Sequence, residues 1–401
     1  MGPERVPRRD VALHHDLHAF SLWSPTPVQS LYRRLGLATD AFERNVSRTI
    51  AITTIAWLPL FIFSTLDGFA WTGTGIPFLR DFDLQARLLV ALPLLVGGEK
   101  WVHQQISEAV CQFVERRIVS GGAVAGFDAA IESALKLSRS LVAELLILII
   151  VYASGWAFSS TFEGLSGSTW LGRAVGTDVV RTAAGWWYLL VSRPLFQFVL
   201  VRWYYRLFLW GRFLWHVSRL RLQLIPTHPD RRAGLGFLSD FSYAFAPFLF
   251  AHGTMVAGRV ANGVVHAGLT FRRFEFELVV VPLAALVMVL VPELVFTARL
   301  WSAKRAGLLQ YGELAEEYVR EFDNKWIRGH PDRQTLLGSG DVQSLADLAN
   351  SFAIVRELRL VPSLKESVLT LAVITVLPLA PLPLTVISGS ELFERLVKMM
   401  L

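Results

Sequence analysis

The chain has 401 residues, 53% of them hydrophobic, with 39 Lys and Arg against 33 Asp and Glu, and its mean hydropathy is +0.43. The apolar residues come in blocks rather than at amphipathic spacing, which excludes an ordinary soluble domain and points to an all-α polytopic membrane bundle. A lone cysteine, Cys111, excludes an intrachain disulfide and a four-cysteine zinc site. The net charge of +6 is explained by sorting across a bilayer, without nucleic acid.

Residues 1–48 read as a cytosolic or interfacial arm carrying Arg5, Arg8, Arg9, Arg33, Arg34, Arg44 and Arg48. Within it, His14, His15 and His18 lie beside Leu13, Leu17, Phe20 and Trp23, the pattern of an interfacial helix rather than a metal site. No cleavable signal peptide is visible, so the first span is expected to serve as an uncleaved anchor. Residues 49–296 hold six predicted spans, at 49–66, 84–101, 141–158, 183–201, 241–260 and 276–296. Spans two, three and four are extended by cytosolic helices, with Gly121-Gly122 breaking the first extension and a loop expected over 159–181. Residues 297–366 form a cytosolic helical segment with separate amphipathic pieces at 311–327 and 341–360. Residues 367–401 give a seventh span, about 368–387, and an amphipathic tail. Pro378, Pro381 and Pro383 forbid a regular helix through that last span.

The fourth span organises the rest. From Ala183 to Arg221 it meets only one interruption, Arg193-Pro194, and about forty helical residues measure roughly 60 Å, twice the hydrocarbon thickness. A helix that crosses a bilayer and projects into the cytosol is expected, ringed by Arg202, Trp203, Tyr204, Tyr205, Arg206 and Trp210. With the N-terminus inside, 29 of the 39 Lys and Arg fall on the cytosolic side and 9 on the other, with Arg193 inside the fourth span. That bias sets the expected orientation.

Ionisable residues at membrane depth persist only where they face protein or water. Glu99, Glu144 and Glu293 fall toward the cytosolic ends of spans two, three and six, and Arg193 and His252 nearer the middle of spans four and five. If these helices converge, Arg193 stands above a carboxylate ring with a titratable histidine close by, the arrangement of a conduction or proton-coupled site. The competing reading is that the glutamates reach the interface and Arg193 pairs with one of them. Proline inside six of the seven spans adds freed carbonyls that can line a cavity.

His228-Pro229-Asp230-Arg231 recurs as His330-Pro331-Asp332-Arg333, each copy following a basic helix and preceding glycines. A metal held by His228, Asp230, His330 and Asp332 is chemically sensible but needs two distant loops to meet. The plainer reading is a turn in which Asp binds backbone amides and glycine takes positive φ. No phosphate-binding Gly-rich loop ending in Lys-Ser/Thr, no Gly-x-Ser-x-Gly elbow and no His-Glu-x-x-His pair occurs. No cofactor is expected.

The strings Thr227-His228-Pro229-Asp230, Gly234-Leu235-Gly236-Phe237-Leu238 and Gly338-Ser339-Gly340-Asp341-Val342-Gln343-Ser344-Leu345-Ala346-Asp347-Leu348 resemble those of an uncharacterised family of bacterial multi-pass inner-membrane proteins. The resemblance covers about residues 180–390. It implies a bacterial inner membrane and carries over no activity, cofactor or site residue.

The sequence therefore favours a channel or secondary transporter for a small anion or proton-coupled solute. The alternatives are a scaffold that binds anionic lipid headgroups and a cytosolic partner, and an intramembrane metal enzyme. The expected partners are the bilayer, anionic headgroups and further copies of the chain.

Overall fold

The computed structural model describes residues 45–162, 169–175, 178–329, 340–362 and 365–385. The expected arm before residue 45, the second His-Pro-Asp copy and the tail after residue 385 lie outside the described residues. Among the described residues the architecture is all-α with one small antiparallel hairpin. Helix α1 is Asn45–Leu66. Helix α2 runs through Phe82–Gln85, a π-turn at Ala86–Ala91, and Leu92–Glu115. Helices α3 (Val124–Ser138) and α4 (Leu141–Phe162) follow, then the strands β1 (Gly172–Val175) and β2 (Asp178–Arg181). Helix α5 comprises Ala183–Trp187, a π-turn at Tyr188–Ser192, and Arg193–Ser218. Helix α6 is Ala246–Ala267. Helix α7 joins Glu275–Leu290, a 3-10 turn Val291–Phe296, Thr297–Phe322 and a π-turn Asp323–Arg328. Helix α8 is Gly340–Arg356, and α9 is Lys365–Val376, continued by 3-10 turns at Leu377–Leu379 and Leu382–Thr385.

Among the described residues three helical runs are long and apolar enough to cross a membrane: Asn45–Leu66, Phe271–Arg328 and Lys365–Leu384. Leu141–Ser154 is apolar but shorter. Seven spans are expected from the sequence, and α2, α5 and α6 miss the measure for a physical reason. Their apolar runs are diluted by Asp83, Arg87 and Glu99, by Arg193, Arg202 and Arg206, and by His252, Arg259 and Asn262. These three helices supply nearly half of the buried residues, whereas α1, α4, α7 and α9 turn apolar side chains outward, among them Ile50, Ile62, Leu145, Ile149, Val279, Leu283, Leu369 and Val373. An interior that gathers charge inside an apolar exterior is what a lipid boundary selects.

Two other expectations are corrected. The loop expected over 159–181 gives way to the end of α4 and the hairpin, in which Gly172 pairs with Arg181. Near it, Trp170 is buried, its indole N–H donating to Asp81 Oδ2 at 3.0 Å. The piece expected separately at 311–327 belongs to one continuous run with the sixth span, because the 3-10 turn holding Pro292 tightens the helix without ending it.

Proline explains much of the local geometry. Pro59 has no N–H to offer the Ile55 carbonyl, and the Trp187 indole donates to that oxygen at 3.2 Å. Ser192 Oγ donates to the neighbouring Ala56 carbonyl at 2.6 Å. Pro93 and Pro194 each follow a π-turn whose wide ring is closed by Leu92 N–H to Arg87 O, and by Arg193 N–H to Tyr188 O. The prolines of α9 replace regular helix by 3-10 turns, as three prolines in six residues require.

Helix α6 is wedged between α2 and α9, and glycines set the approach. A Cβ at Gly253 would meet the Thr375 carbonyl oxygen at 2.0 Å, and one at Gly258 would meet the Phe82 carbonyl oxygen at 2.8 Å. Both obstacles are backbone, so neither can swing aside. Gly253→Ala is expected to push α9 from α6 and cost roughly 1–3 kcal/mol, read as a lower melting midpoint of the detergent-solubilised protein. Gly340→Ala, where a Cβ meets nothing within 4 Å, serves as the control.

Candidate functional site

Helices α2 and α5 lie side by side with α6 across them, and their polar residues fall into three layers. The order follows from the contacts: Arg87 and Arg193 line one cavity, Trp203 donates to the Leu95 carbonyl at 3.0 Å, and Arg206 meets Glu99 at 2.7 Å. Both helices therefore run the same way, and the first layer stands roughly 18 Å from the third at 1.5 Å per residue.

The first layer is a cavity of about 180 Å³. Arg87 and Tyr188 reach it from the two π-turns, and Arg193 and Gln197 from the helix after the second π-turn. Leu84, Leu88, Phe196, Leu200 and Met255 form its apolar wall. Asp83 sits one turn before Arg87 and accepts from it at 2.9 Å. Arg193 Nη2 also lies 3.4 Å from the Ser154 carbonyl of α4. The Arg87 Nε, the Gln197 Oε1 and the Asp83 Oδ1 are buried and have no hydrogen-bond partner among the described residues. Two guanidiniums, an amide and a phenol thus share a partly open space with an apolar wall.

The second layer is aromatic. His252 Nδ1 donates to the Phe248 carbonyl at 2.8 Å, leaving Nε2 to accept the Tyr204 hydroxyl at 2.5 Å. Trp203 stacks on Phe248 with centroids 5.9 Å apart, and Tyr204 meets Phe248 edge-on at 5.3 Å. The third layer is ionic. Glu99, 3% exposed, accepts from Arg206 at 2.7 Å and from Arg48 of α1 at 2.5 Å. One carboxylate thus ties three helices together.

The five sequence-predicted residues do not form one ring. Arg193 lines the cavity, His252 lies in the aromatic layer and Glu99 in the ionic layer. Glu293 is buried elsewhere, accepting a hydrogen bond from Ser242. Glu144 is buried in the first turn of α4, with Oε1 lacking a hydrogen-bond partner among the described residues. Glu99 pairs with Arg206 and Arg48. The sequence assigns no site role to Arg87, Tyr188, Gln197 or Arg206. A signal existed for the first two, since each stands six residues before a proline, Pro93 and Pro194.

The first His-Pro-Asp copy is a tight turn. Asp230 accepts from the backbone amides of Arg232 at 2.7 Å, Gly236 at 2.9 Å and Gly234 at 3.2 Å, and His228 Nδ1 lies 2.9 Å from its Oδ1. Arg231, Ala233 and Gly234 have positive φ of 56°, 54° and 97°. Burial alone would raise the Asp230 carboxyl, but these amides and the His228 imidazole outweigh it and hold the group below the usual range. The turn also anchors the segment after α8: Arg359 N–H donates to the Arg231 carbonyl at 2.8 Å, and Arg231 pairs with Glu357 at 2.8 Å. His330 and Asp332 lie outside the described residues, so the four-residue metal site has no geometry. Among the described residues no group of three or more His, Cys, Asp or Glu could hold a metal ion.

Comparison with known proteins returned no matching family model, no matching curated protein and no matching solved structure.

Two outcomes follow from the ion pairs. Glu99→Ala is expected to destabilise by about 3–5 kcal/mol, because it strands the buried Arg206 charge. Replacing Glu99 and Arg206 together by leucine restores most of the loss, read by thermal melting in detergent. Asp230 has a depressed folded-state pKa, so its contribution is full above the ordinary carboxylate range and is lost as pH falls through the folded value. Asp230→Asn therefore lowers the melting midpoint at pH 7, and the gap from wild type narrows below about pH 4. An equal gap at every pH would contradict this account.

Proposed function

We propose that this chain is a channel or secondary transporter for a small anion in a bacterial inner membrane. The observation that supports this reading best is the cavity of about 180 Å³ into which Arg87 and Arg193 both reach. In this reading all seven sequence-predicted spans cross the bilayer, with the N-terminus cytosolic. The three apolar runs and α4 form the lipid-facing shell, and α2, α5 and α6 form the polar interior. Guanidiniums cost heavily at membrane depth unless they meet protein, water or an anion. In this reading Arg87, which pairs with Asp83, and Arg193, which reaches the Ser154 carbonyl, are also the residues that receive the anion. The aromatic layer around His252 and the Glu99–Arg48–Arg206 cluster then close the cytosolic end, so passage requires that cluster to open or reshape. The basic cytosolic face, with Arg202, Arg212, Arg219 and Arg221 on α5 and the turn after it, raises the local concentration of anions there.

The same ion cluster also favours a second reading. A buried carboxylate held by two arginines is a structural tie, and a scaffold that binds anionic lipid along the Arg202–Arg221 belt needs no pathway. Anion flux into liposomes separates the two. Under the transport reading wild-type protein conducts or exchanges small anions, and Arg193→Ala lowers the rate by about tenfold or more, the loss expected for one charge-assisted contact. Absence of flux for every common small anion, from protein that melts cooperatively, would leave the scaffold. The metal-enzyme reading is tested by elemental analysis of the pure protein, with stoichiometric zinc or manganese expected only if it holds.

A further inference from the structure

A second cavity, of about 460 Å³, lies between α7 and α9. It is lined chiefly by Leu290 and Leu294 of α7 and by Lys365, Val368, Leu369 and Ala372 of α9. We propose that this groove seats one acyl chain of an anionic phospholipid whose phosphate rests on Lys365. The inference rests on the bilayer crossing of α7 and α9 and not on transport.

Its place in the fold comes first. Both walls belong to runs long and apolar enough to cross a membrane. Leu294 is 46% exposed and Leu369 67% exposed, so the groove opens outward, where lipid is the solvent. A water-soluble ligand would leave water for a wall whose one charged group is Lys365. Hydrocarbon loses nothing there.

The backbone explains why a groove exists. Leu290 and Leu294 stand about 40° apart on a regular α-helix, but the turn Val291–Phe296 is 3-10, which advances about 120° per residue and spreads them to about 120°. The ridge they would form opens. On α9, Ser367, Leu371 and Thr375 are turned inward, and the small Ala372 leaves space beside them. From Lys365 to Ala372 the groove runs roughly 11 Å at 1.5 Å per residue, most of the roughly 15 Å depth of one hydrocarbon leaflet.

Charge selects the headgroup. Lys365 is the first residue of α9, at the positive end of the helix dipole. Its ammonium is exposed and has no hydrogen-bond or ion-pair partner among the described residues. Glu366, the acid in the same turn, is within electrostatic reach of Arg232. A cation at the mouth of an apolar slot suits a lipid whose phosphate carries the net charge, and a zwitterionic lipid, which brings its own cation, gains less.

The test uses full-length protein in phosphatidylcholine nanodiscs doped with phosphatidylglycerol or phosphatidylcholine that carries a photoreactive group on an acyl chain. Phosphatidylglycerol is expected to label the peptides holding Leu290 and Leu294, and Val368 and Ala372, about fivefold more than phosphatidylcholine, the factor that one lysine at a membrane surface gives. Lys365→Gln should bring the two lipids to equal labelling there. Ala372→Phe, which fills the groove, should lower labelling by both. Should Ala372→Phe not fold, the Lys365→Gln comparison decides alone. Equal labelling of wild type by the two lipids, or labelling spread evenly over every lipid-facing helix, overturns the proposal. So does a preference that survives Lys365→Gln, which would belong to the basic belt of α5. A groove that neither lipid labels is covered by a second copy or by the chain's own tail, and the proposal falls. Anion flux into liposomes bears on transport alone: its absence beside a phosphatidylglycerol preference sinks transport and leaves the lipid site, and flux without that preference does the reverse.

Discussion

The carboxylate of Glu99 is the constraint on which the interior depends. It stands almost wholly out of water, and Arg206 of α5 and Arg48 of α1 both reach it. A buried charge is tolerated only when opposite charge and hydrogen bonds surround it, so three helices must keep their relative height for the pair to survive. Once α2 and α5 are held at that height, Trp203 faces the Leu95 carbonyl and Arg193 faces Arg87. One ion cluster thus sets the register for the layers above it.

Proline and glycine do the complementary work. Pro93 and Pro194 follow π-turns, and those turns place Arg87 and Tyr188 on the cavity. A regular helix advances 100° per residue, so a π-turn rotates everything beyond it. On the other flank, Gly253 and Gly258 let backbone meet backbone, which holds α6 close enough for Met255 to complete the cavity wall and for His252 to reach Tyr204. Backbone packing on this flank and the Glu99 cluster on the other together fix where the polar groups stand.

Some of this was legible in the chain. The long fourth helix was, because apolar residues run into an unbroken aromatic and basic stretch, and α5 continues to Ser218. The interruption of the last helix was, because three prolines within six residues leave no alternative. The run of α2 past the first polar residues to Glu115 was equally readable. The hairpin was not: Gly172–Arg181 holds a Gly-led pair, Gly176-Thr177, but too little alternation around it to mark two strands. The partner of Glu99 was not, since Arg48, Glu99 and Arg206 are far apart in sequence and nothing in linear order joins them. Arg87 was visible as a charge near a span end, a place where arginine commonly reaches the interface, and its neighbour across the cavity could not be read.

Composition and block hydropathy by themselves determined that the chain is helical and apolar enough for lipid, because the pattern depends only on which residues follow one another. They also singled out Arg193, Glu99 and His252 as residues whose burial needs explaining, because ionisable groups are costly in an apolar medium wherever they sit. Only the tertiary structure decided that these three lie in separate layers, and that Arg193 shares its cavity with Arg87, Tyr188 and Gln197. That outcome turns on helix rotation and height, which π-turns, prolines and glycine contacts set, and a periodicity read along one chain holds no information about either.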